Sequence, residues 1–107
     1  MNQTQRGQLA RDDSNFPIGW NYVNITSQVT TVIKAGPGVL HSLVINTPVA
    51  NSDILIYDST DGSGKVIGDI TIGSNFLPVT LNYDLVFGNG LTIVTTIGST
   101  DITVTYI

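Results

Sequence analysis

The chain has 107 residues, with eight Asp, no Glu, four basic residues and one His, and a net charge of −4 at pH 7. That balance repels phosphate backbones and anionic lipid, so neither nucleic acid nor membrane is expected as a partner. Charged residues make up 11% and hydrophobic residues 41%, the reverse of a disordered composition, and the absence of Cys excludes disulfides, thiolate zinc sites and cysteine nucleophiles.

By surface scaling a chain of this size buries about 65% of its extended surface, enough for one core and one domain. Met1 to Arg6 holds no apolar stretch, and no apolar run approaches the roughly 18 residues of a membrane span, so no secretion signal or membrane anchor is expected. Residues 1–21 read as an extended amino-terminal arm. Asn2 to Asn15 offers only Leu9 and Ala10 as apolar residues and mixes Arg6 and Arg11 with Asp12 and Asp13. Phe16, Ile18 and Trp20 at its far end form an apolar cluster that needs a surface, either the end of this chain's own sandwich or another subunit.

Residues 22–107 read as an antiparallel β-sandwich, jelly-roll-like, of about seven strands. Fourteen Thr, thirteen Ile and eleven Val are β-branched, and strong helix formers are scarce. Turn residues cut the chain at 35–38, 46–48, 59–64, 73–75, 88–90 and 98–100. Between them, Val39 to Ile45 and Ile54 to Tyr57 are apolar on both faces and read as central strands. Val79, Leu81, Tyr83, Leu85 and Phe87 alternate with polar residues, as do Leu91 and Ile93, and Ile102, Val104 and Tyr106, which gives one inward face and one wet face. Four basic residues and four prolines leave the sheet edges little protection, so neighbouring subunits are expected to cover them. Asp53-Ile54, Asp69-Ile70 and Asp101-Ile102 form a weak repeat, read as solvated strand starts.

Candidate chemistry is sparse. Gly62-Ser63-Gly64-Lys65-Val66 lacks the first Gly and the hydroxyl residue of a phosphate loop. His41 shares a strand face with Val39, Leu43 and Ile45 in simple alternation, while Ser42 takes the other face, so adjacency gives no nucleophile and base. One His cannot build a zinc site alone. Asp58 to Gly64 offers oxygen ligands without the carboxylate spacing of a calcium loop and reads as a glycine-rich hairpin. Asp58, Asp61, Asp69 and Asp84 are the carboxylates open to glycosidase-like pairing. The Asn2 and Asn24 sequons read as chance matches. No enzyme activity, cofactor, metal or small-molecule substrate is expected.

From Thr31 to Ile107 four stretches stand in a particular order: Val32-Ile33-Lys34-Ala35-Gly36-Pro37-Gly38-Val39, Asp53-Ile54-Leu55-Ile56-Tyr57-Asp58, Pro78-Val79 through Gly90-Leu91, and Asp101-Ile102-Thr103-Val104-Thr105-Tyr106. In that order they resemble the small all-β virion structural proteins of tailed bacteriophages, of the capsid decoration, cement or head-fibre type. Ile56 stands where that pattern has Leu. The resemblance implies a capsid decoration or cement protein, made in the host cytoplasm and carried on the capsid surface of the virion. It would bind the outer face of the major capsid protein lattice and stabilise the head. A homotrimer is the expected assembly, because local threefold axes are natural docking sites on such a lattice. Arg6, Arg11, Phe16, Ile18 and Trp20 would then form the partner interface. The alternative is a tail- or fibre-associated carbohydrate- or receptor-binding β-sandwich module, with Tyr57 and Tyr106 as its aromatic candidates outside the arm.

Overall fold

The computed structural model describes residues 19–107. Within them the β-branched stretches become eight strands: β1 (Asn21–Ile25), β2 (Thr30–Ala35), β3 (Gly38–Thr47), β4 (Asp53–Asp58), β5 (Lys65–Thr71), β6 (Val79–Phe87), β7 (Gly90–Thr96) and β8 (Asp101–Tyr106). They form two antiparallel sheets of order β1-β8-β3-β6 and β2-β7-β4-β5. Pairing β1 with β8, β2 with β7, β3 with β6 and β4 with β5 is one long hairpin folded across two sheets, the jelly-roll arrangement. The two runs that are apolar on both faces, β3 and β4, are interior strands, each flanked on both sides.

Eight strands replace the expected seven because residues 22–34 are two strands. The turn between them, Thr26 to Val29, holds no Gly or Pro. It is made by a distant residue instead. Thr95 Oγ1 donates to the carbonyls of Ser27 (2.6 Å) and Val29 (3.2 Å) and accepts from the Val29 amide at 3.0 Å, while the Thr95 amide donates to the Val29 carbonyl.

Between the sheets lie Ile25, Leu40, Leu43, Ile45, Phe87, Ile102 and Val104 from one side and Ile33, Ile54, Ile56, Leu91 and Ile93 from the other. Each such side chain contributes about 1.5–3 kcal/mol by leaving water. Leu81, Tyr83 and Leu85 pack against this core as the alternation in β6 predicts. Tyr83 reaches across to β5, where Gly68 admits it: a Cβ at Gly68 would stand 2.6 Å from the phenol oxygen.

Strict alternation fails in β3. Leu40 pairs with Leu85 and Tyr106, and Ser42 pairs with Asn82 and Thr105, so His41 is an extra residue against β8 and faces two residues, Tyr83 and Asp84, on β6. The bulge lets both Leu40 and Leu43 point inward and takes His41 off the face assigned to it by alternation. Asp84, the bulged residue of β6, has a left-handed φ of 48°.

Bulges also answer the edge problem. β2 carries one at Ile33, β5 one between Val66 and Gly68, β6 the one at Asp84, and β1 is only five residues long. Short or bulged edges resist pairing with another chain even where they carry no basic residue. Lys34 and Lys65 add charge to the β2 and β5 edges.

Candidate partner interface

Of the five residues expected at the partner interface, Arg6, Arg11, Phe16 and Ile18 lie outside the described residues. Trp20 stands just before β1, with 39% of its surface exposed. By the alternation of β1, Trp20, Tyr22 and Asn24 share the outer face of the first sheet, while Val23 and Ile25 turn inward. The indole lies flat on the imidazole of His41, ring centroids 4.2 Å apart and planes 5° from parallel. His41 Nδ1–H in turn donates to Asp84 Oδ1 at 2.5 Å. The β3 and β6 irregularities thus bring together three residues from three strand regions. The carboxylate fixes the imidazole, and the imidazole supports the indole.

Apolar neighbours extend this surface. Val39 exchanges both backbone hydrogen bonds with Ile107 at 2.9 Å and lies opposite Val86. Val86 is 75% exposed, and Ile107 is also exposed. A row of Ile107, Val39 and Val86 therefore crosses the outer face beside the Trp20 stack. Sequence reading found Trp20 and missed its partners, because alternation set His41 on one face with Leu43 and Ile45 and nothing local marks Asp84 as a bulge.

Ser42 does not join His41. Its Oγ is hydrogen-bonded to Thr105 Oγ1 at 2.6 Å. On the same sheet Asn24 and Asn46 donate to Asp101 Oδ1 at 2.7 and 3.1 Å and to Thr103 Oγ1 at 3.3 and 3.0 Å, tying β1, β8 and β3 together outside the core.

The carboxylates weighed as ligands or catalysts are dispersed. Asp58, at the end of β4, accepts the backbone N–H groups of Gly88 (3.0 Å), Asn89 (2.8 Å) and Gly90 (3.3 Å), the connection that carries the chain from one sheet to the other. Those amides hold its pKa below 3.8, the Gly88 bond most strongly. Asp61 is lowered by the Ser63 hydroxyl and amide, which donate at 2.8 and 3.1 Å. The glycine-rich loop folds back over the second sheet, with Thr92 Oγ1 donating to the Ser59 carbonyl at 2.7 Å and Gly62 lying against Val94 and Thr30. Asp69 is no strand start but sits within β5, diagonally across from Asp53, whose carboxyl raises its pKa. Among the described residues no three His or Asp side chains converge as a metal would require.

Tyr106 packs against the core from the first sheet, and Tyr57 belongs to the second, so the two do not form one aromatic platform. Compared with protein-family models, characterised proteins and solved structures, the chain finds no match.

Proposed function

We propose that this chain is a structural protein of a tailed-bacteriophage virion, a decoration or cement protein that binds the outer surface of the major capsid protein and acts by contact rather than catalysis. The observation that supports it most is the Trp20 stack. An indole held flat by His41 and Asp84 on an outer sheet face, beside Val39, Val86 and Ile107, is a rigid apolar anchor of the kind that dominates interface energies. It stands where residues 1–18 join the sandwich, so an arm and an anchor would act on one partner surface. A homotrimer on a local threefold axis is the assembly proposed.

Purified particles of the phage that encodes the chain test this. Quantitative mass spectrometry should find the protein at a copy number commensurate with the capsid lattice. Trp20→Ala should weaken rebinding to undecorated heads by more than about 1 kcal/mol while leaving the fold intact. Particles without the protein would sink the proposal, and a copy number matching a tail or fibre would favour the receptor-binding alternative.

A further inference from the structure

Asn89-Gly90, in the connection from β6 to β7, is the single Asn-Gly step of the chain. Such a step is prone to deamidate, because glycine has no side chain to shield the attacking nitrogen. Packing puts the glycine there. Gly90 is buried at the start of β7, opposite Ala35 of β2. A Cβ on it would stand 2.8 Å from the Ser59 carbonyl oxygen, 2.8 Å from Thr60 Cγ2 and 3.0 Å from the Lys34 carbonyl oxygen. Asn89 itself is exposed, so the fold carries a labile peptide within reach of water.

The reaction needs a defined approach. The Gly90 nitrogen gives up its proton and attacks Asn89 Cγ; the Cγ–Nδ2 bond breaks, and Nδ2 takes up a proton and leaves as ammonia. Water then opens the cyclic imide on one side or the other, leaving aspartate or isoaspartate at position 89. In the planar amide, the new N–Cγ bond takes the direction of the N–H bond that it replaces. Here that direction is occupied. Gly90 N–H donates to Asp58 Oδ1 at 3.3 Å, the same oxygen accepts Asn89 N–H at 2.8 Å, and Oδ2 accepts Gly88 N–H at 3.0 Å. At the other side of the same peptide plane, Gly36 N–H donates to the Asn89 carbonyl at 3.0 Å. The plane cannot turn the Gly90 nitrogen away from Asp58 without losing that bond as well. Charge adds to geometry, because the attacking nitrogen is an anion and a carboxylate beside it raises its energy.

We propose that Asn89 is a deamidation site held closed by Asp58: the carboxylate fills the direction of attack in the folded chain, and conversion proceeds only when the connection opens and releases it. Asp58 is thus a positioning residue that sets the chemical lifetime of the turn. The isoaspartate product routes the main chain through Cβ and Cγ, adding a carbon to a connection whose three amides converge on one carboxylate, so conversion also prevents the turn from closing again. This protection is independent of the partner that Trp20 meets.

The test is incubation of the full-length protein in mildly alkaline buffer, followed by peptide mapping by mass spectrometry. Exchange of the side-chain NH2 for OH raises the mass of the peptide that holds Asn89, whereas isomerisation at Asp61-Gly62, the single Asp-Gly step, leaves mass unchanged. Conversion at Asn89 should be at least about tenfold slower in the folded protein than in urea, since the connection must first open. Asp58→Ala should speed it at least about fivefold with the circular dichroism spectrum retained. Leu43→Ala, a destabilising core change away from the connection, should convert near the wild-type rate. In wild type the Gly90 amide should be protected from hydrogen exchange, a readout that needs no variant. Folded wild type that converts as fast as the unfolded chain, an unprotected Gly90 amide, a folded Asp58→Ala no faster than wild type, or Leu43→Ala as fast as Asp58→Ala would each overturn the proposal.

Discussion

The two ends of the sandwich solve the problem of joining strands in opposite ways. At the end that carries Trp20, polar groups do the work: Asp58 gathers three backbone amides of the β6–β7 connection, Asp61 closes its own turn with Ser63, and Asp84 fixes His41. At the other end the connections use hydroxyls and carbonyls alone, and their apolar side chains remain in water. Charge is thus confined to one end and the flanks. The contrast teaches that charged side chains hold the first end together, while the second, the loop end, is joined by uncharged groups and leaves apolar side chains exposed.

The largest expected effect separates residues that hold an end together from residues that only decorate it. Phe87 is fully buried at the end of β6 and closes the core near Gly38. Phe87→Ala should destabilise the protein by about 3–5 kcal/mol, as a large-to-small change in a packed core. Leu77→Ala, at the loop end, should stay within about 0.5 kcal/mol. Urea melts of the two variants give both numbers, and a comparable loss from Leu77→Ala would mean that the loop end is part of the core and not a free surface.

Asp58 comes next, and its sign follows from its depressed pKa. The three amides favour the carboxylate, so the folded state binds the proton less readily than the unfolded chain, where the ordinary value is 3.8. Its contribution is complete above 3.8 and is lost as pH falls through the lower folded value. Asp58→Asn should therefore lower the melting temperature at pH 7, with the difference from wild type closing in strong acid. An Asn that melts with wild type at pH 7 would show that the connection is held by packing against Ser59 and Thr60 alone, and the contrast between the ends would lose its electrostatic basis.

What could be read from the sequence depends on whether a feature is periodic. β6, β7 and β8 follow period two, and Leu81, Tyr83, Leu85, Ile93, Ile102 and Val104 face the core as alternation requires. The β1–β2 turn could not be read, because its determinant, Thr95, lies 68 residues beyond Ser27. His41 was misplaced because a bulge shifts register by one, and a bulge set by Asp84 in a neighbouring strand leaves no local mark. Trp20 could be singled out as the one indole in an apolar cluster at the end of a polar stretch. Its support could not, since the stack joins residues 21 positions apart through strands that are not sequence neighbours.

The smallest effect concerns the flank of the loop end, where Asp53 and Asp69 lie diagonally across from each other on β4 and β5. Here the pKa moves up: the hydrogen bond with the Asp53 carboxyl comes first, then desolvation, then charge repulsion from Asp53. A carboxyl with a raised folded value is more willing to hold a proton folded than unfolded. Above that value Asp69 is charged beside Asp53, and its ionisation opposes folding. As pH falls through it the opposition fades, and it is gone once the unfolded chain also protonates near 3.8. Asp69→Asn should thus raise the melting temperature slightly at pH 7 and change nothing well below pH 3.8, the opposite sign to Asp58→Asn at neutral pH. Because both carboxylates are solvated, the gain should shrink further in high salt. Paired melts of the two variants across this range would measure the contrast directly: a loss at neutral pH from Asp69→Asn would mean that the Asp53–Asp69 pair does not oppose folding.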